Sequence, residues 1–541
     1  MISRAFAVTW IIGTLLLLNQ CKNANLKYDK IDELFSKWNN GGSPGCTVLI
    51  YQNDKVIYKK AFGMANISDS IPLQITTQFH VASITKQFTG MAIAILESRN
   101  LIKKDDEIIN YVPELPNYRK PITIEHLLNH TSGIPEYQYL EELAGMDGRN
   151  GVSQEIFFDL LEVKNDLNNN PGERYIYSNS NYALLAIIIE RVTGMSFSEF
   201  VSKEIFHPLK MNDSKFITNI KDEDQKQMAH GYNLDHKVEE PRINPNLIIG
   251  HSGLITTIEN LGIWVRALMN RELPGSVSLT QKPVWGHYNY GLQYFHHHGL
   301  PTISHGGVHF GFRSNILIFP DQDFFVIILG NIDDRDFFYN NYTIADILLE
   351  DSYKKIEVET EPKSNVDKLT EKFINKYFDE VVQISFTDSA LNITNYQKGE
   401  NFVAFQSDKN VFVSSTSSGR KTYQFNQKRD SLQIINYDGS TEIFHRAEDF
   451  YPPTRSLEHL AGPYLSKDVG FTLNLTIDED GIINSDFDSE YFNNFHPLTS
   501  EIWMNNNVNM MTMKFQYNEG KVCGFSLSLD RLKDLQFKRL N

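Results

Sequence analysis

The run Phe88-Thr89-Gly90-Met91-Ala92-Ile93-Ala94-Ile95-Leu96 constrains the fold more than any other stretch, because a helix that is apolar nearly all round must lie inside a large core. Directly before it stands His80-Val81-Ala82-Ser83-Ile84-Thr85-Lys86-Gln87. Ser83 and Lys86 are three residues apart, so on a helix they share one face. A serine hydroxyl is a weak nucleophile until a neighbour takes its proton, and a lysine entering a buried helix at its first turn is placed to do so.

The chain has 541 residues, long enough for two or three domains. Its formal net charge of −16, with no basic stripe, excludes a nucleic-acid partner. Arg4 followed by an apolar stretch from Ala5 to Leu18 reads as a targeting segment, too short for a membrane span. It ends in Leu18-Asn19-Gln20-Cys21, similar to a bacterial lipoprotein signal in which the cysteine is lipidated, although Gln20 departs from the small residue usual there. Residues 1–21 are therefore set apart from the fold, and the membrane is expected to be reached through a lipid anchor at Cys21 or through the signal segment itself. Cys46 and Cys523 form no disulfide framework. Cys523 lies on the apolar parity of Cys523-Gly524-Phe525-Ser526-Leu527-Ser528-Leu529, which predicts a buried thiol.

Strand signals at Cys46–Tyr51 and Lys55–Tyr58 read as a hairpin. Helical patterns dominate from Ser83 to about residue 245, including 124–129 and 181–192, the latter stopped by Gly194 and followed by a capping box at Ser196–Glu199. Strands return at Tyr290–Tyr294, Ser314–Ile318 and Phe324–Leu329. One antiparallel sheet built from both ends of this region, with a helical insert, is the expected α+β architecture. Residues 351–367 read as a linker, and residues 368–449 and 455–541 as two β-rich modules, with hairpin signals at Tyr437–Ser440 and Asn518–Gly520 and a break at Tyr451–Thr454. Leu369–Tyr377 resembles Leu457–Tyr464, and Phe444–Arg446 resembles Phe537–Arg539; duplication and coincidence both explain this.

Two further segments carry chemistry. Tyr177-Ser178-Asn179 follows Ser83 by about 90 residues at the start of a helix. A phenol titrates near about 10, and a neighbouring ammonium favours its anion, so Tyr177 is a second candidate base. His305-Gly306-Gly307-Val308 is expected at the start of a strand, its glycines admitting a substrate close to the backbone. His296-His297-His298 has no acidic or histidine partner at ligand spacing, so a polar loop is expected there and no metal or other cofactor.

Taken in order, these segments resemble the serine β-lactamase and penicillin-binding-protein-like superfamily, in particular its class C-like branch of esterases, D-aminopeptidases and D-alanyl-D-alanine carboxypeptidases. Ile122–Pro135, Gly250-His251-Ser252-Gly253-Leu254 and Tyr290-Gly291-Leu292 add to the likeness, which covers roughly residues 26–350. It implies a sheet flanked by helices plus an all-helical subdomain, with barrel-like C-terminal modules. It further implies that Ser83 is the nucleophile, that Lys86 and Tyr177 manage its proton, and that Asn179 binds substrate or Lys86. His305 would line the pocket opposite Tyr177, beside Gly306 and Gly307, and the N–H groups of Ser83 and Val308 would hold the oxyanion. Where many relatives carry a lysine and a hydroxyl to hold a substrate carboxylate, this chain has His305 and Gly306, which turns expectation from β-lactams and D-Ala-D-Ala peptides toward an ester or a D-amino-acid peptide. A small acyl, ester or peptide substrate in a bacterial envelope is expected. The alternative from another class is a non-catalytic lipoprotein binding peptidoglycan fragments or peptides, against which stand the intact Ser83, Lys86, Tyr177 and Asn179.

Overall fold

The computed structural model describes residues 26–540 except 40, 220–223, 241–245, 282–286, 335, 354–369, 376–379, 387–389, 396–399, 409, 417–418, 436–440, 448–456, 487–492, 499–501, 506–510 and 530. The leader with Cys21, most of the expected linker, the Tyr437–Ser440 turn and the Tyr451–Thr454 break lie outside the described residues.

The central sheet has seven antiparallel strands in the order Lys55–Phe62, Cys46–Gln52, Phe324–Gly330, Phe312–Phe319, Leu300–His309, Leu292–His297, Tyr288–Asn289. The two ends of the domain do share it, as the strand pattern predicted. Phe324–Gly330 is apolar throughout because both faces are covered, and the two-residue period of a strand divides it. Phe324, Val326 and Ile328 pack with Ile31, Phe35, Trp38, Phe337 and Ile344 on the side of the terminal helices. Phe325, Ile327 and Leu329 face the larger core that holds the Thr85–Ser98 and Asn179–Thr193 helices. Among the described residues no helix is long and apolar enough to cross a membrane.

Several local readings change. Tyr290-Gly291 is the hairpin turn between Tyr288–Asn289 and Leu292–His297, not strand. Gly291 has φ +79°, and a Cβ there would lie 2.4 Å from the backbone carbon of Lys86, so the turn presses on the lysine's own main chain. His305 lies inside the strand Leu300–His309, opposite Ile316, rather than at its start. The Gly194 stop and the Ser196–Glu199 capping box are as predicted.

The C-terminal part forms two closed eight-stranded barrels, spanning Thr370–Asn375 to Thr441–Ala447 and Gly462–Leu465 to Leu535–Arg539. Both join strands in sequence order and close first on last. The closing registers pair Arg446 with Phe373 and Arg539 with Tyr464, so the two segments that looked alike do match in place, but Phe373 rather than Tyr377 is the counterpart of Tyr464. Cys523 is exposed, contrary to the parity argument. A bulge pairs Gln516 with Gly524 and Tyr517 with Val522, leaving Cys523 as the extra residue that flips outward. The first barrel has its own core around Phe373, Leu391, Phe412 and Phe444. The core of the second, with Tyr464, Phe515, Phe525 and Phe537, is continuous with that of the first domain.

Candidate active site

Ser83 occupies a short 3-10 turn, Ala82–Ile84, and the α-helix proper begins at Thr85. Ala82 has φ +48°, an uncommon conformation for a residue with a side chain. Two contacts impose it. Ser314 Oγ donates to Val81 O at 2.8 Å, and Gly307 fits so closely that a Cβ would lie 2.4 Å from Val81 O and 3.1 Å from Ala82 Cβ. The glycine pair of the His305–Val308 segment thus brings its strand against the turn carrying Ser83. Val308 itself is among the exposed apolar residues. The other side of the helix start is sewn to the Gly250–Leu254 segment: Leu254 N donates to Thr85 Oγ1 at 3.1 Å, and Thr89 Oγ1 donates to Gly250 O at 2.6 Å.

Lys86 is fully buried, its Nζ 3.0 Å from Ser83 Oγ, 2.6 Å from Asn179 Oδ1 and 2.8 Å from His251 O. Burial drives its pKa well below that of an ordinary lysine; buried Glu136 opposes this and Arg531 adds to it. A neutral amine has two N–H groups and one lone pair. Asn179 Oδ1 and His251 O take the two N–H groups, which leaves the lone pair for the proton of Ser83.

Asn179 is held at its backbone N–H and at both polar atoms of its side chain. Its N–H donates to Glu136 Oε2 at 2.5 Å, and its Nδ2 donates to Gln138 Oε1 at 2.6 Å. Glu136 is itself buried, and burial raises its pKa while Arg531, two backbone N–H groups and Lys86 pull it down.

Tyr177 lies with its ring 4.8 Å from Lys86 Nζ. Burial raises its phenol, and neither the hydrogen bond to Ser83 nor the charge of Arg531 reverses that. Burial thus works against the expected lysine-stabilised phenolate, pushing Tyr177 toward its protonated form and Lys86 toward its neutral one. His305 faces Tyr177 at 6.3 Å between ring centroids. Its Nδ1 donates to Gly306 O at 2.6 Å, so Nε2 accepts from Tyr288 Oη at 2.8 Å. Burial, then the nearby Lys86, lowers its pKa to about 3, so His305 is no cation at neutral pH. Burial likewise lowers His80, His130 and His251, and takes His309 to about 4.

The structure thus brings Ser83, Lys86, Tyr177, Asn179 and His305 together. Glu136, Gln138 and the His251 carbonyl were missed. Glu136 and Gln138 directly follow the Ile122–Pro135 segment, and His251 lies inside a segment noted for its likeness, so position was the available signal. Arg531 was also missed and had none. It belongs to the second barrel, yet its guanidinium carbon lies 4.7 Å from the Tyr177 ring centroid. Away from this site, the helix Asp336–Leu349 supplies the acidic partner that local spacing around His296–His298 did not show. His297 Nε2 lies 2.6 Å and His298 Nε2 3.5 Å from Asp346 Oδ1, a group with metal-ligand geometry, although Tyr353 Oη also donates to that oxygen at 2.7 Å.

A buried lysine with a lowered pKa beside a serine, between a helical layer and an antiparallel sheet, defines a class of serine hydrolase-type proteins. The chain belongs to the beta-lactamase family, whose profile matches residues 31–349. It is 30% identical over 313 residues to Protein flp of Staphylococcus aureus strain MRSA252, covering 54% of this chain and 60% of that one. It is 33% identical over 190 residues to Penicillin-binding protein 4* of Bacillus subtilis, covering 35% and 42%. The matched region thus spans at most about three-fifths of these relatives. Among solved structures, an octameric penicillin-binding protein homologue from Pyrococcus abyssi superposes with a TM-score of 0.51 at 21% identity, over 78% of this chain and 99% of that chain. FmtA from Staphylococcus aureus gives 0.51 at 23%, over 62% and 93%. At these identities the structural matches speak to fold alone.

Proposed function

We propose that the protein is a serine hydrolase that cleaves a small ester or amide through an acyl-enzyme, as an esterase or D-amino-acid peptidase of the bacterial envelope. The observation that carries this is the hydrogen-bond count at Lys86 Nζ, which directs a lone pair at Ser83 Oγ. In the reaction Lys86 takes the proton of Ser83 as Oγ bonds to the carbonyl carbon. The N–H groups of Ser83 and Val308 hold the oxyanion. The bond to the leaving group then breaks, the proton passing to that group; water attacks the acyl-serine with Lys86 accepting its proton, and the acyl carbon–Oγ bond breaks as that proton returns to Ser83 Oγ. Tyr177, protonated, relays or donates rather than abstracts. Asn179 aims the amine, and Gly306 and Gly307 let substrate lie along the strand. Neutral His305 and hydrogen-bearing Gly306 weigh against efficient β-lactamase or D-Ala-D-Ala carboxypeptidase action, and Cys21 is the proposed lipid anchor.

The test is turnover by protein lacking residues 1–21 of 4-nitrophenyl acetate and butyrate, nitrocefin, and peptides ending in D-Ala-D-Ala or beginning with a D-residue. Turnover that disappears in Ser83→Ala, with an acyl-enzyme at Ser83 seen by mass spectrometry, is expected. Silence across the panel with no acyl-enzyme would point instead to a binding protein.

A further inference from the structure

The histidines around Ser83 are driven neutral, and Lys86 is driven the same way. Arg313, on the strand beside His305, donates to Phe310 O and Phe312 O and pairs with Asp333. Positive charge reaches the serine–lysine–tyrosine group from another part of the molecule, the turn between the last two strands of the second barrel, Lys521–Ser528 and Leu535–Arg539.

That turn is held at several points. Leu529 N donates to Leu532 O at 2.7 Å, Lys533 Nζ donates to Leu529 O at 2.6 Å, and Asp534 N donates to Ser528 Oγ at 3.1 Å. Leu532 is fully buried in the shared core. Asn168, from the loop leading to Tyr177, clasps the backbone on both sides of Leu532: its Nδ2 donates to Arg531 O at 3.1 Å and its Oδ1 accepts from Lys533 N at 2.9 Å. Asn168 is in turn anchored by its own N–H to Gly133 O at 2.7 Å. A guanidinium whose main chain is fixed and whose side chain is half-buried loses little entropy when it binds an anion.

The geometry points to Arg531 as the substrate-binding cation of this site: the second barrel completes the pocket of the first domain and selects substrates that carry a carboxylate near the scissile carbonyl. This rests on the hydrolase reading above and narrows it to acidic esters or amides, Arg531 supplying from the barrel, and in a different place, the cation that the His305–Gly306 strand lacks. Arg531 stacks over the Tyr177 face and its charge also acts on buried Glu136; a substrate carboxylate meeting it there would form a charge-assisted pair partly shielded from water.

The experiment measures kcat/KM on two matched pairs with the protein lacking residues 1–21. Mono-4-nitrophenyl glutarate against 4-nitrophenyl butyrate places the charge on the acyl side, and 4-acetoxybenzoate against phenyl acetate places it on the leaving side. For Arg531→Gln and Arg531→Ala the charged-to-neutral ratio in at least one pair is expected to fall about tenfold or more, through KM, with part of it restored in Arg531→Lys. Ratios within twofold of wild type in both pairs, in variants with unchanged thermal melting, would overturn the assignment. A proportional fall of all four rates would also overturn it and make Arg531 a positioning group for Tyr177. Absence of any Ser83-dependent turnover in the parent protein would instead sink the hydrolase reading, and this assignment with it.

Discussion

Ser83, Lys86 and Asn179 are held by side chains and carbonyls of their own domain, with Lys86 sealed from water. Arg531 arrives from a separately closed barrel, half-buried, on a turn clasped by one asparagine. The first region spends its burial on making an amine neutral, which bond-making chemistry needs. The second keeps a charge near solvent, which recognition needs. Both groups lie against the Tyr177 ring, 4.8 Å and 4.7 Å from its centroid, one from each domain, and the charge of Arg531 adds to what keeps the pKa of Lys86 low. The two barrels carry the same contrast: the first keeps a closed core, and the second opens its own into the hydrolase-like domain.

The sharpest way to break this comparison is at the nucleophile. Ser83→Ala should lower turnover by on the order of 10⁴-fold or more and remove labelling by a fluorophosphonate probe, while Arg531 variants keep that labelling. Labelling of Ser83→Ala at the parent rate would refute the division. Next in size, Lys86→Met is expected to slow acylation by on the order of 10³-fold, read in single-turnover kinetics. The pH profile sharpens the point. Burial pushes the pKa of Lys86 down and the proposed base is its neutral amine, so the acid limb of kcat/KM should lie well below the range of an ordinary lysine. Glu136→Gln removes a charge that raises the pKa of Lys86, so the acid limb should move to lower pH, with the plateau reduced about tenfold by a less well-held Asn179. A limb that moved upward would contradict the electrostatic account. The smallest effect belongs to the clasp: Asn168→Ala should cost about 1 kcal/mol in thermal or denaturant unfolding and lower the charged-to-neutral ratio no more than about threefold, a weaker copy of the Arg531 result.

Legibility in the sequence followed the range of the forces involved. The buried helix, the sheet strands and the capping box rest on periodicity and local hydrogen bonds, and they were placed within a few residues. Ser83, Lys86, Tyr177, Asn179 and His305 were found because nucleophile chemistry demands particular side chains in particular order. Cys523 failed because a bulge, which leaves no composition signature, reverses parity. Asp346 beside His297, and Arg531 over Tyr177, are pairings across long sequence separation, and nothing around either residue in the chain announces its partner. The electrostatics were illegible for a related reason: the lowered pKa values of Lys86 and His305 are consequences of being enclosed, a property of the assembled core.

The sheet that frames this site also sets a schedule. Cys46–Gln52 finds its inner neighbour only in Phe324–Gly330, with Gln52 opposite Phe324 about 270 positions downstream. While a ribosome works through the intervening helices, the early hairpin waits with one edge unsatisfied and two apolar faces uncovered. Ser83 is therefore synthesised long before the sheet that supports it can close, and the nascent chain has to be kept from pairing with its neighbours in the meantime.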